Sequence, residues 1–205
     1  MTLIAQQLED LRSKPNTEDP HEHLTGLTWM KKVYNEAGAA AFLSLSRLEL
    51  DTDGIDIPRV REDGYDGPHQ KQTSLDQDGA WLSADEISYF VLPLGFGTKE
   101  DGTSYPIRHE GVEIGCLGTV VYQGLKVHAV FADEGADRSI FGEASIKVHR
   151  KLGFERVDSG AIIDEGIDDG VYLLIYVGSK ISSDRFTDDD IDREAEPLWQ
   201  SFVGS

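Results

Sequence analysis

Two acids stand at a spacing that could do chemistry. Asp133 closes the run Val127-His128-Ala129-Val130-Phe131-Ala132-Asp133, and Glu143 follows in Gly142-Glu143-Ala144-Ser145. A pair of carboxyl groups, one ionised and one holding its proton, is the equipment for cutting a glycosidic bond. In a strand alternate residues share a face, so Val127, Ala129 and Phe131 point one way and Asp133 has the same parity. On a core-facing side that placement costs desolvation energy unless the carboxylate is paired or used. The plain alternative is that the strand has ended and Asp133 is a turn residue. The segment Glu143 to Leu152 fits a helix ended by Gly153. An acid in a first helical turn complements the dipole, which favours the ionised form by about 0.3–1 kcal/mol. Burial or a neighbouring carboxylate shifts a carboxyl further the other way. A proton-holding Glu143 therefore needs a dry pocket or a nearby negative charge, and Asp133 is the nearest candidate.

The elements that must position this pair follow from periodicity. Leu3, Ile4, Leu8 and Leu11 have helical spacing over residues 2–13, and Lys14 to Pro20 reads as a linker. A second helix is expected over Trp29 to Ala41, and a strand over Phe42 to Leu50. Asp51 to Gln77 is polar and rich in Gly, Pro and Asp, long for a connection without structure of its own. Tyr89 to Pro93 reads as a strand stopped by its proline, and Gly95 to Arg108 as a glycine-rich loop. Val112 to Tyr122 and Leu125 to Ala132 read as strands joined by a tight turn at Gln123-Gly124. Val171 to Val177 is a continuous apolar strand. Thr187-Asp188-Asp189-Asp190 resembles a capping sequence for a last helix that includes Leu198 and Trp199. Strands dominate the middle without strand–helix–strand alternation, which predicts a mainly β fold with flanking helices, a compact β-barrel. The expected organisation is an N-terminal helix and polar linker over residues 1–35, then one domain over 36–205 that ends in an acidic helix.

The chain has 205 residues, enough for one domain with a real core. Thirty-eight acidic residues against nineteen basic ones give a formal net charge of −19. Such a chain repels phosphate backbones and anionic lipid heads, so nucleic acid and membrane are poor partners and a cationic one is favoured. Cys116 is the only cysteine, which excludes an intrachain disulfide and cysteine-rich zinc sites, and its apolar surroundings predict a buried, inert thiol. No stretch of about 18 apolar residues spans a membrane. Met1 to Lys14 lacks the basic and continuous apolar regions of a secretion signal. Asp51-x-Asp53-Gly54 hints at calcium, but Ile55 and Asp56 fall where an EF-hand loop needs a ligand and a glycine, so an Asp-rich turn is expected and no metal. His21-x-His23 beside Glu22 reads as solvated linker, and His128 has outward parity and a surface role by default. His149 is isolated. Trp29, Trp81 and Trp199 are expected to pack in the core or at an interface rather than to stack on sugars. Nucleophile-elbow, phosphate-loop and dinucleotide fingerprints are absent.

Together, Val127 to Asp133, Gly142 to Ile146 and Lys151-Leu152-Gly153 resemble the signature of the fungal-type chitosanases, glycoside hydrolase family 75. Other segments are similar in the same order: Leu48-Glu49-Leu50-Asp51-Thr52-Asp53-Gly54, Gln70-Lys71-Gln72-Thr73-Ser74-Leu75 and Tyr89-Phe90-Val91-Leu92-Pro93. The resemblance runs from about Phe42 to Val177. It implies a barrel of the double-psi type and an endo-acting, inverting hydrolase of chitosan that needs no cofactor and is of a usually secreted kind. In that role Glu143 is the general acid and Asp133 the base that activates water. Asp51 and Asp53 become candidate contacts to the sugar amines, with Thr73 and Ser145 as further substrate contacts. Chitosan carries ammonium groups when protonated, which suits the charge of the chain. Other readings stay open on the residues alone: a hydrolase of a related cell-wall glycan, a non-catalytic carbohydrate-binding module, or a structural protein.

Overall fold

Helix α1 (Leu3–Arg12) is capped by the Thr2 hydroxyl, which accepts from the Ala5 amide at 3.3 Å, and it buries Leu8 and Leu11. These features come from a computed structural model, which describes residues 2–14, 25–54, 72–93, 111–135, 141–155, 157–158, 161–162 and 166–204. Strand β1 (Leu27–Tyr34) pairs antiparallel with β2 (Ala40–Asp51). The helix expected over Trp29 to Ala41 is therefore a hairpin, and part of the expected N-terminal linker belongs to the sheet. Trp29, Val33 and Tyr34 favour a pleated surface, and Asn35 turns the chain, its side chain accepting from the Ala39 amide at 2.8 Å.

Six strands close a ring. β2 pairs with β11 (Gly166–Tyr176), β11 with β6 (Leu117–Tyr122), and β6 with β7 (Leu125–Gly135), all antiparallel. β7 runs parallel to β5 (Tyr89–Pro93), and β5 pairs antiparallel with β8 (Glu143–Ser145). β8 runs parallel to the end of β2, completing a closed six-stranded β-barrel flanked by helices. Two small hairpins, β3 (Asp76–Gln77) with β4 (Ala80–Trp81) and β9 (Val157–Asp158) with β10 (Ala161–Ile162), stand apart from it. Gln123 and Gly124 both have positive φ, 48° and 90°, the geometry of a tight turn matched to strand twist.

Alternate residues split between two faces. Phe42, Phe90, Val120, Ala129, Phe131, Ala144 and Leu173 pack together as the barrel filling. Leu43, Tyr89, Val91, Val130 and Leu174 belong to a second cluster with Leu8 and Leu11 of α1 and with α3 (Asp188–Val203). α3 begins with the expected capping box, Thr187 with Asp190. It covers His128, whose Nε2 lies 2.7 Å from Glu196 and whose Nδ1 lies 2.8 Å from the Thr119 hydroxyl. The outward parity of His128 holds, but its expected surface role does not: the helix buries it, and burial lowers its pKa. Cys116 is buried, and burial raises its thiol pKa, as an inert thiol requires. Among the described residues no helix is long and apolar enough to cross a membrane.

Candidate active site

Glu143 sits on a strand. The helix expected from Glu143 begins only at Ile146, as α2 (Ile146–Lys151) capped by Ser145, so no helix dipole acts on Glu143 as a first-turn residue. Gly142 explains the strand. Its φ is +96° and a Cβ there would lie 2.3 Å from the Arg47 carbonyl, so only glycine lets the chain press against β2. The Glu49 amide then donates to the Gly142 carbonyl at 2.7 Å, and β8 enters the ring in register, Glu49 opposite Glu143.

A bulge places Asp133. Along β5 and β7 the register runs Phe90 with Phe131, then Val91 with Asp133, so Ala132 and Asp133 together oppose one residue. The extra residue reverses the parity. Asp133 is in register with Val91, a residue of the outer cluster, whereas Val127, Ala129 and Phe131 fill the barrel. The expected shared face with Phe131 is thus overturned, because simple alternation fails across a bulge. Asp133 remains in the strand and is only 5% exposed, so it is not a turn residue.

Val91 lies between the two acids in register, opposite Asp133 on one side and Glu143 on the other. Glu49 and Asp51 of β2 alternate on the same face beside Glu143. Gly135, two residues beyond Asp133, leaves the room Glu143 needs: a Cβ there would stand 2.9 Å from Glu143 Oε2.

The two acids have different surroundings. Burial, then the charges of Asp51 and Glu49, push Glu143 up to about 7, against the attraction of Arg47. Asp133 contributes to that rise, but less than Asp51, so the leading negative neighbour is not the one expected from spacing. Asp133 is an acceptor instead: its Oδ1 takes hydrogen bonds from the Ser74 amide at 2.8 Å, the Ser74 hydroxyl at 2.6 Å and the Glu134 amide at 2.9 Å. Asp51 is itself pushed up to about 6, chiefly by burial and also by Asp133, while its hydrogen bonds from the Asp53 amide at 2.7 Å and the Tyr89 hydroxyl at 3.1 Å oppose the rise.

Asp51, Asp53 and Asp133 bring carboxylate oxygens within 4.8 Å of one another, a group that could hold a cation, whether a metal ion or an ammonium. Gly54 holds this corner closed, since a Cβ there would meet the Leu82 carbonyl at 1.7 Å. Thr73 and Ser145 do not join the group as open contacts. The Thr73 hydroxyl donates to the Leu75 carbonyl at 2.6 Å and accepts from the Leu82 amide at 3.0 Å, with the residue 1% exposed. The Ser145 hydroxyl, on a residue with no exposure, donates to the Ile87 carbonyl at 2.8 Å and accepts from the Tyr89 and Val148 amides. Both hydroxyls are hydrogen-bonded within the fold, at the walls of the site. Sequence reasoning missed Ser74, Tyr89 and Gly135. Only Gly135, as a glycine two places past the acid, carried any local signal. Trp29 and Trp199 are buried as expected, whereas Trp81 is 42% exposed on β4. His21, His23, residues 55–71 and the loop 94–110 lie outside the described residues.

Comparison with known proteins finds no matching family model and no similar curated protein.

Proposed function

We propose that the protein is an inverting endo-hydrolase of chitosan, with Glu143 as general acid and Asp133 as general base. The observation that carries this reading is the asymmetry across Val91: a carboxyl held up to about 7 on one side, and on the other a carboxylate with one oxygen committed as an acceptor. A group with its pKa near neutrality can hold a proton and release it to a leaving oxygen. Inversion is what the resemblance to the fungal-type chitosanases implies. The β5 strand alone lies between the strands that carry Asp133 and Glu143, and an inverting pair needs its carboxyl groups roughly 6.5–9.5 Å apart to admit a water.

The substrate class follows from charge and from the resemblance to the fungal-type chitosanases. Asp51 and Asp53 form the acidic wall at which a glucosamine ammonium would sit, and the net charge of −19 draws a polycation. Chitosan, chitin and peptidoglycan assayed in parallel for new reducing ends should show release from chitosan first, with KM rising as salt screens the attraction. Preferred release from fully acetylated chitin would contradict the ammonium reading. Binding without release from any of the three would make the barrel a binding module.

Asp51 sets the working pH in this account. Since its charge leads those that raise Glu143, Asp51→Asn should move the alkaline limb of the pH–rate profile, expected near pH 7 in the wild type, toward lower pH. A profile whose alkaline limb stays fixed in the variant would remove Asp51 from that role.

A further inference from the structure

The segment around Ser74 bridges the bulge at three points. The Leu75 amide donates to the Ala132 carbonyl at 2.8 Å, capturing a group at the bulge, where the ladder is disrupted. The Ser74 amide and hydroxyl both donate to Asp133 Oδ1, at 2.8 Å and 2.6 Å. The Glu134 amide donates to the same oxygen at 2.9 Å and reaches the Ser74 hydroxyl at 3.2 Å. Oδ1 thus has three donors on it, and the carboxylate is fixed in rotation from two directions. Asp133 is buried, but Ser74 is an exposed residue, so its hydroxyl adds little to packing. A polar clamp built by an exposed residue onto a buried acid has its effect at the acid.

We infer that Ser74 is the positioning residue for the general base, occupying Asp133 Oδ1 so that Oδ2 alone faces the attacking water. This rests on the hydrolase reading above. During bond cleavage Oδ2 takes one proton from the water as its oxygen bonds to the anomeric carbon, while Glu143 gives its proton to the departing glycosidic oxygen. A base free to rotate would offer Oδ2 in the attacking direction for only part of the time, and misplacement on this scale lowers the rate strongly.

The test uses the full chain, chitosan hexamer and four proteins: wild type, Asp133→Asn, Ser74→Ala and Ser74→Thr. Ser74→Ala should lower kcat by roughly 10–100-fold with KM within about twofold. Ser74→Thr keeps the hydroxyl and should restore most of kcat, and all four should melt within a few degrees of one another. A Ser74→Ala enzyme with at least half the wild-type kcat overturns the clamp, as does a change confined to KM, or a threonine variant as slow as the alanine one. If the wild type is active and Asp133→Asn is not, such a result removes the clamp and leaves the hydrolase reading standing. If the wild type cleaves nothing, both fall together.

Discussion

Asp133→Asn and Glu143→Gln should each reduce reducing-end release from chitosan oligomers by about 10²–10⁴-fold, the contribution a positioned acid or base makes to proton transfer. Both replacements keep shape. The asparagine side chain retains an oxygen for the donors that reach Asp133 Oδ1, from Ser74 and Glu134, but has no basicity to draw a proton from water. The glutamine side chain fits the space that Glu143 occupies above Gly135 but has no proton to lend to a sugar alkoxide, a poor leaving group. Binding of oligomers should survive in both variants, because Asp51 and Asp53, two of the three carboxylates of the cation-holding group, are untouched. The double variant should be little slower than the worse single one, since acid and base act in one transition state. Calorimetric titration beside the rate assay separates the two effects. A loss of less than about tenfold in both variants would remove the pair from the chemistry.

Glu143→Gln should also make the protein more stable, by an amount that grows as pH rises from about 4.5 to about 7. In the folded chain burial and the charges of Asp51 and Glu49 push Glu143 up to about 7, against an ordinary value of 4.5. Between those values the folded state binds more protons than the unfolded one, so stability falls as pH rises from about 4.5 to about 7 and the full cost remains above it. Asp51, raised from 3.8 to about 6, adds a loss of the same sign over its own window. Removing the ionisable group at 143 should recover on the order of 1–3 kcal/mol at pH 8, discounted for partial exposure and for the lost attraction of Arg47. For a chain of this size that is a rise in Tm of roughly 3–8 °C. At pH 4.5 wild type and variant should melt together. Melting curves at the two pH values read the result without any substrate. A variant less stable than wild type at pH 8, or equally shifted at both, would show that Glu143 is not held up by its surroundings.

The two acids were visible in the chain, while their arrangement was not. The strand at Tyr89–Pro93, the Gln123-Gly124 hairpin and the capped last helix are local signals, and each formed where its residues indicated. The barrel class followed from the strand-rich middle. Closure did not, because β8 is three residues long and owes its place to Gly142 lying against Arg47, a contact between distant segments. The same holds for Asp133. Strand alternation marked it as an acid in an apolar run, but the bulge that turns it to the outer face exists only in the pairing with β5. Ser74 acts across 59 positions of chain, beyond anything periodicity or motif spacing encodes. Trp29 illustrates the remaining class of error: a stretch with mixed periodicity became a strand because β2 offered it a partner.

The most direct test of the central claim is the configuration of the first product. Chitosan hexamer is mixed with the wild-type enzyme in deuterated buffer, and the anomeric proton resonances are followed from the first turnover. Attack by a water held at Asp133 on the face opposite Glu143 inverts the β-linked carbon, so the new reducing ends appear as the α-anomer and only later equilibrate. Reducing ends that appear first as the β-anomer would mean retention through a covalent intermediate, and would contradict the assignment of Asp133 as a base.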